Sequence, residues 1–140
     1  MNLRRLTALA VVGALLAACS GSSPSEAAGN GEINATVQEW SISLDKSTVP
    51  AGEVTFNISN TGDETHEFVV VSTDLDAGAL PVTDDQVDES AFEPVDEVED
   101  IESGTNPTLG PLTLEAGHYV ILCNLLAHYG KGMHANLTVE

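Results

Sequence analysis

Near the end of the 140-residue chain runs Cys-Asn-Leu-Leu-Ala-His-Tyr-Gly-Lys-Gly-Met, which places Cys123, His128 and Met133 at equal intervals. Thiolate, imidazole and thioether are the soft-to-borderline donors that copper prefers. A trigonal set of two His and one Cys with a long axial Met supports one-electron transfer. The segment is short of one His. His66 is a candidate: it follows the turn Asn60-Thr61-Gly62-Asp63, which closes one apolar alternation, and directly precedes another. If the strands before His66 and before Cys123 end at the same pole of a fold, the four side chains meet. Zinc fits less well, because closed zinc sites prefer more Cys and His. Cysteine catalysis by Cys123 with His128 as base is the enzymatic alternative. It requires an orienting group, has no evident oxyanion site, and leaves Met133 without a role.

The only other thiol is Cys19. Residues 1–18 carry Arg4 and Arg5 followed by thirteen apolar or small residues, Leu6 to Ala18. This is the layout of a secretory signal, and it is short for a membrane-spanning helix. The ending Leu16-Ala17-Ala18-Cys19 resembles a bacterial lipobox, which implies cleavage before Cys19 and its acylation. Residues 19–31 then form a lipidated Cys and a Ser/Gly-rich linker of the flexible kind. The expected location is extracytoplasmic, on a lipid anchor in the cell membrane. With Cys19 acylated, Cys123 has no disulfide partner, and a bound metal is what would hold a lone thiol in an oxidising compartment.

Residues 1–18 contain no acid, so the rest of the chain sets 2 basic against 22 acidic residues, a balance of −20. Nucleic acid is excluded as a partner on that charge. Residues 32–140 suffice for one domain with one core. Its pattern is β throughout. Strands are expected at 33–44, 53–59, 67–73, 108–115, 117–124 and 134–140. Val54, Phe56 and Ile58 alternate with Thr55, Asn57 and Ser59, the mark of a half-buried strand. Phe68-Val69-Val70-Val71 is continuously apolar and reads as a central strand. Short strands punctuated by turns predict a β-sandwich. Residues 74–104 form an acidic insertion with twelve carboxylates and no Lys or Arg. They read as a solvated excursion with a short helix near 84–92, or as a docking surface for a basic partner.

Two stretches together resemble the cupredoxins, small copper proteins of the plastocyanin and azurin type. Val49-Pro-Ala-Gly-Glu-Val-Thr-Phe-Asn-Ile-Ser-Asn-Thr-Gly-Asp-Glu-Thr-His66 is similar to the family's first-ligand region. Gly117-His-Tyr-Val-Ile-Leu-Cys123 through Met133 to Val139 is similar to its second. The Cys-x4-His-x4-Met spacing is that of rusticyanin-like and sulfocyanin-like members. The resemblance implies an all-β Greek-key sandwich. It also implies one copper ion, cycling between Cu(I) and Cu(II), held at one pole by His66, Cys123, His128 and Met133. Two positions depart from the family: Glu67 stands where many members have Asn, and Leu126-Ala127 replaces the usual Pro or Gly before the second His.

The resulting expectation is a monomeric one-electron carrier at the outer face of a membrane, exchanging electrons with a cytochrome, oxidase or reductase. Family likeness places the exchange surface at the edge of His128, flanked by Leu125, Leu126, Ala127 and Tyr129. The alternative is a chaperone or storage lipoprotein that hands copper on, although only one Met follows the signal. His118 and His134 are expected to face solvent, and Trp40 to pack in the core.

Overall fold

The computed structural model describes residues 31–92 and 94–140; the signal segment, Cys19 and the linker up to residue 30 lie outside them. Alternation becomes strand wherever the sequence predicts it. In β4 (Gly52–Asn60), Val54, Phe56 and Ile58 are buried while Thr55, Asn57 and Ser59 are half-buried. β1 (Gly31–Gln38) buries Ile33, Ala35 and Val37 in the same rhythm. The remaining strands are β2 (Ser41–Leu44), β3 (Thr48–Val49), β5 (His66–Ser72), β6 (Val82–Thr83), β7 (Gln86–Val87), β8 (Pro94–Ile101), β9 (Thr108–Leu114), β10 (Gly117–Leu122) and β11 (His134–Val139).

One sheet has the order β2-β1-β4-β9 and the other β3-β11-β10-β5-β8. β1 runs parallel to β4 and β3 parallel to β11, and the chain crosses repeatedly between the sheets. This is the expected all-β Greek-key sandwich. Its interior joins Ile33, Val37, Phe56 and Ile58 of one sheet to Phe68, Val70, Ile121 and Leu137 of the other. Phe56 and Phe68 meet at 5.3 Å between ring centroids, within the range of favourable aromatic pairs.

Two segments differ from the sequence expectation. Residues 33–44 are two strands, because Glu39 and Trp40 make a two-residue turn that pairs Gln38 with Ser41. The acidic insertion is also more than a solvated excursion. β8 adds an edge to the second sheet beside β5. Residues 82–87 form a hairpin, with Asp84 and Asp85 at φ 51° and 64°, the left-handed pair that a two-residue hairpin turn requires. In place of the short helix near 84–92 stand this hairpin and a single 3-10 turn, Glu89–Ala91.

The insertion's apolar residues explain the continuous run of β5. Val69 and Val71 point away from the sandwich interior, as do Val120 and Leu122 of β10. Ala77, Leu80, Val87 and Tyr129, with the half-buried Phe92, cover them in a second cluster. Covering an aliphatic side chain of this size is worth about 1.5–3 kcal/mol, so the insertion stabilises the sheet whose end carries the candidate ligands.

Candidate metal centre

His66 opens β5 and Cys123 directly follows β10, and these two strands are antiparallel neighbours in the second sheet. β5 and β10 therefore deliver the two residues to one pole. His66 keeps the inward phase of Phe68 and Val70, so its ring is fully buried. The turn before it is held by Asn60, itself 1% exposed. The Asn60 side-chain oxygen accepts the Gly62 N–H at 2.9 Å. Its amide donates to the Glu64 and Ile101 carbonyls, each at 2.8 Å.

The segment from Cys123 to Met133 closes on itself. The Cys123 N–H donates to the Met133 carbonyl at 3.1 Å, and the Met133 N–H to the His128 carbonyl at 3.3 Å. A 3-10 turn, Tyr129–Lys131, ends at Gly132 with φ 115°, a conformation open chiefly to glycine. The loop brings His128 Nδ1 to 3.5 Å from Cys123 Sγ and 3.4 Å from His66 Nδ1. One donor atom from each of His66, Cys123 and His128 lies within 4.8 Å of the others. Met133 is fully buried in the same apolar cluster as Cys123.

Burial pushes the Cys123 thiol up from its ordinary range, with the Glu67 and Leu125 N–H groups opposing. The Glu67 N–H reaches the sulfur at 3.2 Å. That contact comes from the backbone, so having Glu rather than Asn at this position does not remove it. Burial holds His128 below the usual imidazole range, and the neighbouring His66 adds to the effect. A buried, converging set of one sulfur and two imidazole nitrogens is what a soft-to-borderline metal ion requires; the donors fit copper.

Several contributors escape sequence reading. Trp40 is half-buried and packs against the core, as expected, but it also reaches the candidate ligands. Its ring meets His128 edge-on at 4.9 Å, and Lys131 Nζ lies 3.4 Å from its centroid. Glu39 Oε1 lies 3.3 Å from His66 Nε2 and accepts the Glu64 N–H at 2.7 Å. That backbone donor is the main reason the Glu39 carboxyl sits below its usual range. Asn124, adjacent to Cys123, is clamped by the insertion. It accepts from the Val87 N–H at 2.7 Å and donates to the Val87 carbonyl at 3.1 Å and the Glu89 carboxylate at 2.7 Å. The Ala127 N–H bonds the Asp85 carbonyl at 2.9 Å. No local signal marks Glu39 or Asn124. The polar turn composition does point to Asn60.

The expected exchange surface is only partly present. Leu126 is 65% exposed, Leu125 and Ala127 are half-buried, and His128 keeps 8% of its surface. Tyr129 is turned inward instead: its hydroxyl accepts the Leu80 N–H at 2.9 Å and donates to the Ala77 carbonyl. His118 bonds the Thr73 carbonyl and Asn136, and His134 packs against Tyr129; neither joins the cluster.

A family model described as cupredoxin-like domain matches residues 8–139. No curated protein sequence matches the chain significantly. Among solved structures, a dithionite-reduced auracyanin from the photosynthetic bacterium Roseiflexus castenholzii is similar at TM-score 0.58 and 24% identity, covering 80% of this chain and 99% of its own. Auracyanin A, a "blue" copper protein from the green thermophilic photosynthetic bacterium Chloroflexus aurantiacus, gives 0.56 and 20%, covering 80% and 100%. Rusticyanin from Thiobacillus ferrooxidans gives 0.54 and 20%, covering 78% and 76%. At such identities the likeness establishes the fold.

Proposed function

Because the chain belongs to the cupredoxin-like family, we propose that it is a blue-copper electron carrier, with His66, Cys123, His128 and Met133 holding one copper ion. The observation that carries this reading is the buried convergence of two imidazole nitrogens on the Cys123 thiol. Copper, when bound, supplies a one-electron Cu(I)/Cu(II) couple. The chain contributes a pre-set cage: β5 and β10 fix His66 and Cys123, and the loop's own hydrogen bonds fix His128 and Met133. Full burial of His66, Cys123 and Met133 limits the access of water to the donors. Four protein donors leave no position for a substrate, so a carrier is favoured over an enzyme.

Leu126, beside the sliver of exposed His128, would meet a redox protein. Weak electron-transfer encounters need only small interfaces. Acylated Cys19 would tether the domain at the outer face of the membrane; among the described residues no helix is long and apolar enough to cross one. A chaperone that hands copper on is the competing reading. Full burial of His66, Cys123 and Met133 supports retention over release.

The test is the visible spectrum on adding Cu(II). An intense thiolate-to-copper band that Cys123→Ser abolishes is expected; Cu(II) binding without that band refutes the assignment. Leu126→Glu should then slow electron self-exchange while colour and copper retention stay the same. Unchanged self-exchange together with ready copper loss from wild type to a chelator would favour the chaperone.

A further inference from the structure

We propose that Glu39 is a positioning residue for the metal centre, its carboxylate orienting His66 through the remote ring nitrogen and biasing the site toward the oxidised metal. The inference rests on the copper reading above. His66 points Nδ1 at His128 Nδ1, 3.4 Å away inside the cluster, so Nε2 must carry the ring proton when Nδ1 ligates. The partner at Nε2 is Glu39 Oε1 at 3.3 Å. Carboxylates in this position fix the tautomer and raise the basicity of the ligand.

The placement is built by two separate stretches of chain, the turn at Glu39 and the segment 62–66. Glu39 sits in the two-residue turn between β1 and β2, 27 residues from His66. The Glu64 N–H aims the same carboxylate oxygen at 2.7 Å. Gly62 makes the room: a Cβ there would lie 2.4–2.7 Å from the Glu39 carboxylate. Among the described residues no Lys or Arg forms an ion pair with Glu39, so its charge is not neutralised by a contacting cation. The Glu39 side chain is 24% exposed, against a fully buried His66.

The other imidazole has no equivalent. Glu64 Oε2 is 3.7 Å from His128 Nε2, beyond hydrogen-bond reach, and the Glu64 side chain is 55% exposed. Each imidazole therefore faces one carboxylate, and only that of Glu39 is bonded to its ring. A contacting negative charge favours the doubly charged ion over the singly charged one, whereas an exposed one is screened by water and salt.

The experiment compares Cu(II) and Cu(I) affinities of the full chain by competition with chelators, for wild type, Glu39→Gln, Gly62→Ala and Glu64→Gln. Loss of an outer partner typically costs 10–100-fold in metal affinity. Glu39→Gln should weaken Cu(II) by about tenfold more than Cu(I), which equals a rise of about 59 mV in a one-electron potential. Gly62→Ala keeps the charge but displaces the carboxylate, and should shift the ratio the same way. Glu64→Gln should change it by less than about twofold. In metal-free protein, imidazole nitrogen shifts should show His66 as the Nε2–H tautomer in wild type and as a mixture in Gly62→Ala. An unchanged ratio in Glu39→Gln, an equal shift in Glu64→Gln, or a mixed tautomer in wild type overturns the role of Glu39 while leaving the copper reading intact. A wild type without the thiolate-to-copper band overturns both.

Discussion

Asn124→Ala should cost far more than its place in a surface loop suggests. The residue is 5% exposed, and its side chain makes three hydrogen bonds across the hairpin of the insertion: from the Val87 N–H, to the Val87 carbonyl and to the Glu89 carboxylate. Truncation leaves the Val87 N–H unpaired in a place water reaches poorly, since Val87 is 4% exposed. Such an orphan costs about 1–3 kcal/mol, and a bond to a charged group contributes about 1.5–3 kcal/mol. A loss of about 3 kcal/mol is therefore expected, and for a domain of this size a Tm lower by roughly 12 °C or more. Asn124→Asp keeps the acceptor for Val87 but sets a second carboxylate against Glu89. It should be comparably unstable at neutral pH and recover as acid protonates the pair. Urea unfolding of the metal-free protein measures the first effect, and hydrogen exchange at the Val87 amide locates it. A loss below about 0.5 kcal/mol, the range of ordinary surface substitutions, with Val87 still protected, would show that the insertion does not clamp the ligand loop.

Burial raises the Cys123 thiol above its ordinary 9.0 and keeps His128 below 6.5. At pH 7 the metal-free site thus holds a protonated thiol and a neutral His128. Copper uptake should release about one proton, and apparent affinity should fall as pH is lowered; calorimetry in buffers of different ionisation enthalpy measures this, and release near zero refutes it. Ala127 sits at φ 66°, where a Cβ crowds the following carbonyl. Ala127→Gly should therefore stabilise the protein by about 0.5–1 kcal/mol in chemical denaturation, and destabilisation would mean that the loop adopts another conformation.

Local physics makes half of this protein legible in its sequence. Period-two alternation sets β1, β4 and the ends of β10 and β11, because a strand with one buried face has no other way to arrange Val54, Phe56 and Ile58. Cys123, His128 and Met133 are close in the chain, so their convergence needs only a loop with glycines to bend it. His66 is legible as well, since it lies where a turn hands over to a strand. The rest depends on contacts that cross the fold. Phe68 to Val71 looks the same in sequence whether one face is covered or two; only the packing of Ala77, Leu80 and Val87 on the outer face decides it. The acidity of residues 74–104 masks that role, because most of the described carboxylates face solvent while Ala77, Leu80 and Val87 between them turn in. Glu39 and His66 are 27 residues apart, Val87 and Asn124 37 apart. No periodicity relates such pairs. They meet because two sheets close on each other and bring a turn, a hairpin and a ligand loop to one pole, and it is there that the tertiary structure decides what surrounds each donor.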